Sequence, residues 1–210
     1  MSEGYKTVGI AAAAEFTEKK SRFIGHCFPV STEEEALEKI AAIKKEYWDA
    51  RHNTYAYVLR GGMIRRFSDD GEPQGTAGMP MLEVLTAQGL EDCLVVVTRY
   101  FGGILLGTGG LVRAYSHATA IAVEAAGKVQ MLPCREGRVV CPYPQYQPLI
   151  TLIDAVGGKV ADTEFADTVT VSYELPIELE DTFDERLTDQ SAGTLVADKG
   201  EIVIRPFACE

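Results

Sequence analysis

Five glycines fall within the nine residues from Gly102 to Gly110, inside the stretch RYFGGILLGTGGLVRAY (Arg99 to Tyr115). Upstream lies CLVVVTRY, a β-branched run that reads as a buried strand. Downstream, Leu111, Ala114/Tyr115, Ala118, Ile121/Ala122 and Ala125 recur at helical spacing. A glycine-rich turn from strand to helix therefore limits the fold more than any other feature. Glycine belongs where the backbone takes positive φ or comes close to another group. Two readings stay open. Gly102, Gly103, Gly107, Gly109 and Gly110 can let the helix pack tightly on a sheet. They can also leave a shelf of free N–H groups at a helix N-terminus, which suits an anion. Known phosphate loops do not fit. No Lys-Ser/Thr follows a glycine, and Gly107-Thr108-Gly109 is followed at the sixth position by Val112, where a dinucleotide fingerprint needs Gly or Ala.

The flanking patterns predict an α+β fold in two domains, 1–130 and 131–210. In the first, SRFIGHCFPV (21–30) reads as a strand. STEEEALEKIAAIKKEY reads as a helix capped by Ser31 or Thr32, with Glu34 or Glu35 completing a capping box. TYAYVLR and MIRRFS flank Gly61-Gly62 as a hairpin. DDGEPQGTAG is a turn-rich loop, and Pro80 opens a short helix that Gly89 ends. The segment AAGKVQMLPCREG reads as the boundary. Beyond it the pattern resets to β-α-β-β-α-β, the ferredoxin-like order.

Net charge is −11 over 210 residues, unevenly placed. Residues 1–130 carry 14 Lys+Arg against 16 Asp+Glu, or −2, and residues 131–210 carry 6 against 15, or −9. The second domain repels polyanions, whereas the first can carry a local positive patch. No apolar run approaches the roughly 20 residues of a membrane span. The N-terminus lacks the pattern of a signal peptide, so the protein is expected in the cytoplasm. The five cysteines are odd in number and have no CxxC spacing, which argues against a disulfide framework and a zinc site.

Arg51, Arg60, Arg65, Arg66, Arg99 and Arg113 share one window without a lysine, and six acids lie in it too. Arginine offers a planar fork to carboxylate or phosphate, so these side chains can pair internally, meet a ligand, or both. Asp69, Asp70 and Glu72 cluster on one turn. Orienting Arg99 or Arg113, or fixing the turn, suits them better than acid–base or metal chemistry, because no second carboxylate motif supports them. His52 precedes a strand, His117 follows Arg113 by one helical turn, and His26 lies in a strand. No Ser or Cys motif makes any of them a catalytic base. No cofactor motif is present.

KSRFIG (20–25), DARHNTYAY (49–57), SDDGEPQGTAGMP (68–80) and RYFGGILLGTGGLVRAY (99–115) together resemble the YigZ/IMPACT family. The resemblance spans about residues 5–128. Residues 138–204 resemble the small ferredoxin-like domain of bacterial members, similar to a terminal domain of elongation factor G. For the first domain the resemblance implies a β-α-β-β-(α)-β-α order, shared with a small-subunit ribosomal protein, elongation factor G and the GHMP kinases. It implies regulation rather than catalysis. Eukaryotic relatives act in translational control by competing for a ribosome-associated activator of the amino-acid-starvation kinase. Bacterial members are described as nucleic-acid or ribosome binders. Leu105 stands where the family often has lysine, so the loop lacks one positive charge. The expected function is a translation-associated binding protein that engages RNA, the ribosome or a ribosome-bound protein. The expected surface comprises Arg99, Arg113, the five glycines, Asp69, Asp70, Glu72 and His52. Two alternatives stand beside it. One is an enzyme acting on a phosphorylated small molecule, by analogy with the GHMP kinases, although their Ser-Ser-Ala loop is missing. The other is a regulator that binds protein alone, with the acidic second domain suited to a basic ribosomal protein.

Overall fold

The computed structural model describes residues 4–61 and 63–208. One unit, Tyr5–Gln130, holds β1 (Tyr5–Val8), β2 (Ala12–Glu18), β3 (Ser21–Pro29), α1 (Glu33–Glu46), β4 (His52–Val58), β5 (Arg65–Ser68), α2 (Gly78–Ala87), β6 (Cys93–Tyr100) and α3 (Thr108–Ala126). The other, Met131–Pro206, holds most of β7 (Lys128–Cys141), then α4 (Tyr143–Ala155), β8 (Lys159–Phe165), β9 (Val169–Pro176), α5 (Glu180–Ser191) and most of β10 (Ala197–Ala208). The fold is mixed α+β.

In the first unit, β2–β3–β6–β4–β5 form one antiparallel sheet. Val95 and Val97 of β6 face a core with α2 and α3, while Leu94 and Val96 face α1. The central strand is covered on both faces, which is why its sequence is an unbroken apolar run rather than an alternating one. The tight seam between α3 and the sheet lies at Gly25, away from the glycine loop. A Cβ there would sit 2.5 Å from the Ala118 carbonyl oxygen and 2.9 Å from the Ala122 Cβ. Gly25→Ala is therefore expected to cost about 1–3 kcal/mol, read as a lower thermal midpoint. An unchanged midpoint would rule out this seam.

Several elements differ from the sequence expectation. β1 and β2 were not anticipated, because the alanine-rich run of β2 carries little strand propensity. β2 forms by pairing with β3 through a two-residue turn, Lys19–Lys20, with φ of 45° and 65°. Neither residue is a glycine or asparagine, so the usual hairpin signal is missing. The apolar stripe of α3 rotates at its end, burying Val123 and Ala126 and leaving Ala125 exposed. α2 starts at Gly78, two residues before Pro80, and the missing proline N–H costs nothing within that first turn. Thr32 caps α1 by accepting from the Glu35 N–H, but Glu35 turns back to the Ser31 N–H and hydroxyl, one residue beyond the usual box. β4 and β5 pair as the hairpin reading expects, and the Leu59 N–H donates to the Ile64 carbonyl beyond the last pair; Gly62 lies outside the described residues. The segment read as the boundary, AAGKVQMLPCREG, comprises the end of α3 and most of β7.

In the second unit the sheet runs β10–β7–β9–β8. It places the first and third strands side by side, as a split βαβ arrangement requires. Leu149, Ile153, Phe183 and Leu187 of the two helices cover one face.

Cys27, Cys93, Cys134 and Cys141 are buried free thiols, and Cys209 lies outside the described residues. Burial pushes Cys27 up to about 12 and Cys134 up to about 11. The thiolate is the reactive species. These two are therefore expected to resist iodoacetamide in the native protein near pH 8 and to react only on unfolding.

Candidate functional site

The strands bring Phe23, Arg99 and His52 into one row at the end of the sheet, because Arg99 pairs in register with both neighbours. Arg99 is only 5% exposed. Its Nη1 donates to Glu72 Oε1 at 2.5 Å, and the Tyr115 hydroxyl donates to the same oxygen at 2.8 Å. Burial, followed by the Glu72 charge, pushes the Tyr115 phenol far above its ordinary range. The Arg99 guanidinium also lies 5.4 Å from the Phe23 ring and 5.6 Å from the Phe101 ring. His52 Nδ1 lies 2.8 Å from the Asp70 carbonyl oxygen, and its Nε2 lies 3.8 Å from Glu72 Oε1. Arg99 Nε finds no partner among the described residues. Such an unpaired buried donor costs roughly 1–3 kcal/mol.

Arg99, Glu72 and His52 line a cleft of about 430 Å³, walled by Arg51, Pro73, Phe101, Leu105, Leu106 and the start of α3 at Gly107 and Thr108. The cleft unites Arg99, Glu72, His52 and Gly107 of the expected set. It does not include Arg113. That side chain is exposed and lines a separate groove of about 290 Å³ with Phe16, Glu18, Lys19, Gly110 and His117. Leu106 touches both spaces. The two arginines are thus parted by one turn of α3 and its loop.

The acid cluster does not act as a unit. Asp69 fixes the turn, accepting from the N–H groups of Gly75, Ala77 and Gly78 at 2.8, 3.0 and 2.8 Å, and so caps α2. Asp70 meets Lys44 at 2.7 Å and accepts from the Asn53 N–H at 2.7 Å. Only Glu72 holds an arginine of the expected pair, and none of the three holds Arg113. Their short spacing suggested one role, but each side chain leaves the turn in a different direction. Of the remaining arginines, Arg60 pairs with Asp92 at 3.2 Å and Arg66 approaches Glu33 at 3.8 Å. Arg51, Arg65 and Arg113 make no ion pair among the described residues.

The glycines also divide. Gly102 is a close-approach residue: a Cβ there would lie 2.0 Å from the Lys20 carbonyl carbon, and its N–H already donates to Ser21 Oγ at 3.2 Å. Gly103 and Gly107 have φ of 85° and 73°, with open space where a side chain would stand. Gly107 caps α3 without any side-chain hydrogen bond, and the Leu111 N–H closes on its carbonyl. Among the described residues no group accepts from the N–H groups of Thr108, Gly109 and Gly110. The loop therefore does not draw α3 onto the sheet. It anchors on the β2–β3 turn and leaves a helix N-terminus open. Tyr115, Ser21 and Phe101 fall outside the expected set, since nothing in their spacing ties them to Arg99, and Arg51 figures there only as one of the six windowed arginines.

This architecture is that of a two-unit α+β protein, with an Arg-floored cleft and a groove lined by Lys19 and Arg113 on the first unit. Residues 19–123 match the Impact N-terminal domain and residues 139–194 match a domain of unknown function, DUF1949. The IMPACT family member YvyE of Bacillus subtilis is 39% identical over 210 residues, covering 96% of this chain and 94% of its own. The IMPACT family member YigZ of Escherichia coli is 37% identical over 180 residues, covering 84% of this chain and 88% of its own. A crystal structure described as that of a hypothetical protein aligns with a TM-score of 0.61 at 32% identity, over 100% of this chain and 99% of the other. The chain belongs to the IMPACT family. Eukaryotic relatives are named Protein IMPACT in Rattus norvegicus and Protein IMPACT homolog in Dictyostelium discoideum. Among the described residues no helix is long and apolar enough to cross a membrane.

Proposed function

We propose that this protein is a translation-associated regulatory binding protein whose first unit docks on ribosomal RNA through the groove beside α3. The observation that carries the reading is the state of Arg113. It is exposed and makes no hydrogen bond or ion pair among the described residues, whereas Glu72, the acid of the expected set that holds an arginine, is engaged with Arg99. Beside it the Lys19–Lys20 turn holds two lysines at positive φ. Such strain persists only where the surroundings impose it, and it concentrates at functional positions. Glu18 is the one carboxylate lining the groove, so Lys19 and Arg113 leave it a net positive charge. An acidic chain can bind RNA through one such patch, with an affinity that depends steeply on salt.

The test is co-sedimentation of the full chain with ribosomes across a salt series, with and without ribonuclease. Binding is expected to weaken as salt rises and to be lost on ribonuclease treatment. Arg113→Ala is expected to lower the slope of log affinity against log salt by about one contact. Arg113→Lys should keep most of the attraction, because a point charge suffices for a phosphate. Leu105→Lys places a charge on an exposed loop position (81% exposed) and should tighten association. Binding that survives ribonuclease and ignores Arg113→Ala would assign the partner to protein instead.

A further inference from the structure

We propose that the cleft over Arg99 binds a compact monoanionic carboxylate carried on an apolar body, at a site distinct from the Arg113 groove. Two independent features point to an anion. The first is a buried cation with spare donors: Arg99 is 5% exposed, its Nη1 is committed to Glu72, its Nη2 reaches Ser21 Oγ only at 3.4 Å, and its Nε has no partner. The second is the open N-terminus of α3, a helix of 19 residues whose cap Gly107 and first residue Thr108 line the same cleft. Aligned peptide dipoles and unpartnered N–H groups there favour negative charge.

The charge balance limits the ligand to one negative charge. The ionisable groups lining the cleft are Arg51, His52, Glu72 and Arg99. Glu72 is neutralised by Arg99 and shielded by the Tyr115 hydroxyl, which leaves Arg51 as the surplus cation at the rim. A phosphate dianion would bring a second negative charge toward the buried Glu72 with no lysine in the lining to offset it. A carboxylate matches both the single charge and the planar fork of arginine.

The walls describe the rest of the ligand. Pro73, Phe101, Leu105, Leu106 and Leu111 surround the head-group position, and Leu105 and Phe101 stand 81% and 39% exposed. A volume of about 430 Å³ falls within the range of small-molecule sites. An apolar body would cover these side chains and exclude water from the carboxylate, strengthening its hydrogen bonds. A free small acid and the C-terminus of a peptide ending in an apolar residue share this chemistry.

The experiment titrates N-acetyl-L-leucine into the uniformly ¹⁵N-labelled full chain and follows the amide signals of Thr108, Gly109 and Gly110. Saturable shifts are expected. N-acetyl-L-leucinamide, which has the same shape without the charge, should bind about tenfold more weakly or worse, as expected for losing one charged hydrogen bond. Arg51→Ala, at the rim where folding is not at risk, should weaken the acid but not the amide. Arg113→Ala should leave the acid unchanged, which separates this site from the RNA groove. A leucine-terminated tripeptide is the second arm: tighter binding than N-acetyl-L-leucine marks a chain terminus as the natural source, and weaker binding marks a free acid. Equal affinity for acid and amide, tighter binding of inorganic phosphate, or no shift at tens of millimolar would overturn the proposal.

Discussion

Replacing Glu72 with alanine is expected to lower the stability of the folded protein by about 3–5 kcal/mol, the cost of leaving one member of a buried ion pair alone. Arg99 and Glu72 have side-chain exposures of 6% and 3%, so solvent compensates little for the lost carboxylate. Tyr115, fully buried, loses its acceptor in the same step. The remaining polar contact of Arg99, to Ser21 at 3.4 Å, is too long to compensate. Urea unfolding followed by circular dichroism reads the effect. The double variant Glu72→Leu with Arg99→Met should recover most of the loss, because an apolar pair of similar volume often equals or exceeds a buried ion pair. Asp69→Ala provides the contrast: it removes a helix cap rather than a counter-ion and should cost about 1–2 kcal/mol. A loss below about 1 kcal/mol for Glu72→Ala would mean that Arg99 finds another partner.

Gly102→Ala is expected to cost about 3 kcal/mol, far more than the same change at neighbouring glycines. The new methyl would lie 2.0 Å from both the carbonyl carbon and the oxygen of Lys20. Those are backbone atoms in a two-residue hairpin turn that is already at positive φ, so neither side can yield cheaply. At Gly103 the space is open and only the left-handed backbone resists, with φ of 85°, so alanine should cost about 1–2 kcal/mol. At Gly109, within the first turn of α3, alanine should be neutral or slightly stabilising, because glycine is a poor helix former. The ordering of the three urea midpoints is the test, and equal losses would refute the close approach of the two loops. Gly102→Ala should also disturb the groove beside Lys19, so its ribosome sedimentation should fall with its stability.

Local pattern was enough for most of the secondary structure. The apolar run of β6, the capped stripe of α1, the glycine turn into α3 and the β-α-β-β-α-β order of the second unit are all written in spacing and turn chemistry. Those features depend on residues a few positions apart, and short-range sterics decide them. The four long blocks around Gly25, His52, Glu72 and Arg99 carry the resemblance to the family in sequence alone. What needed the tertiary structure was every relation between distant positions. β2 exists because β3 offers an edge, and no propensity in its alanines demands it. The fates of Asp69, Asp70 and Glu72 diverge because adjacent turn residues point apart, toward a helix start, a lysine on α1 and a buried arginine. Arg99 and Arg113 look alike in sequence, yet a strand end buries one against Glu72 and a helix surface exposes the other beside Lys19. Composition and spacing determined that this chain carries glycines and arginines at a strand-to-helix turn. Only packing decided which arginine is held and which is free, since burial and pairing arise from residues brought together across the fold.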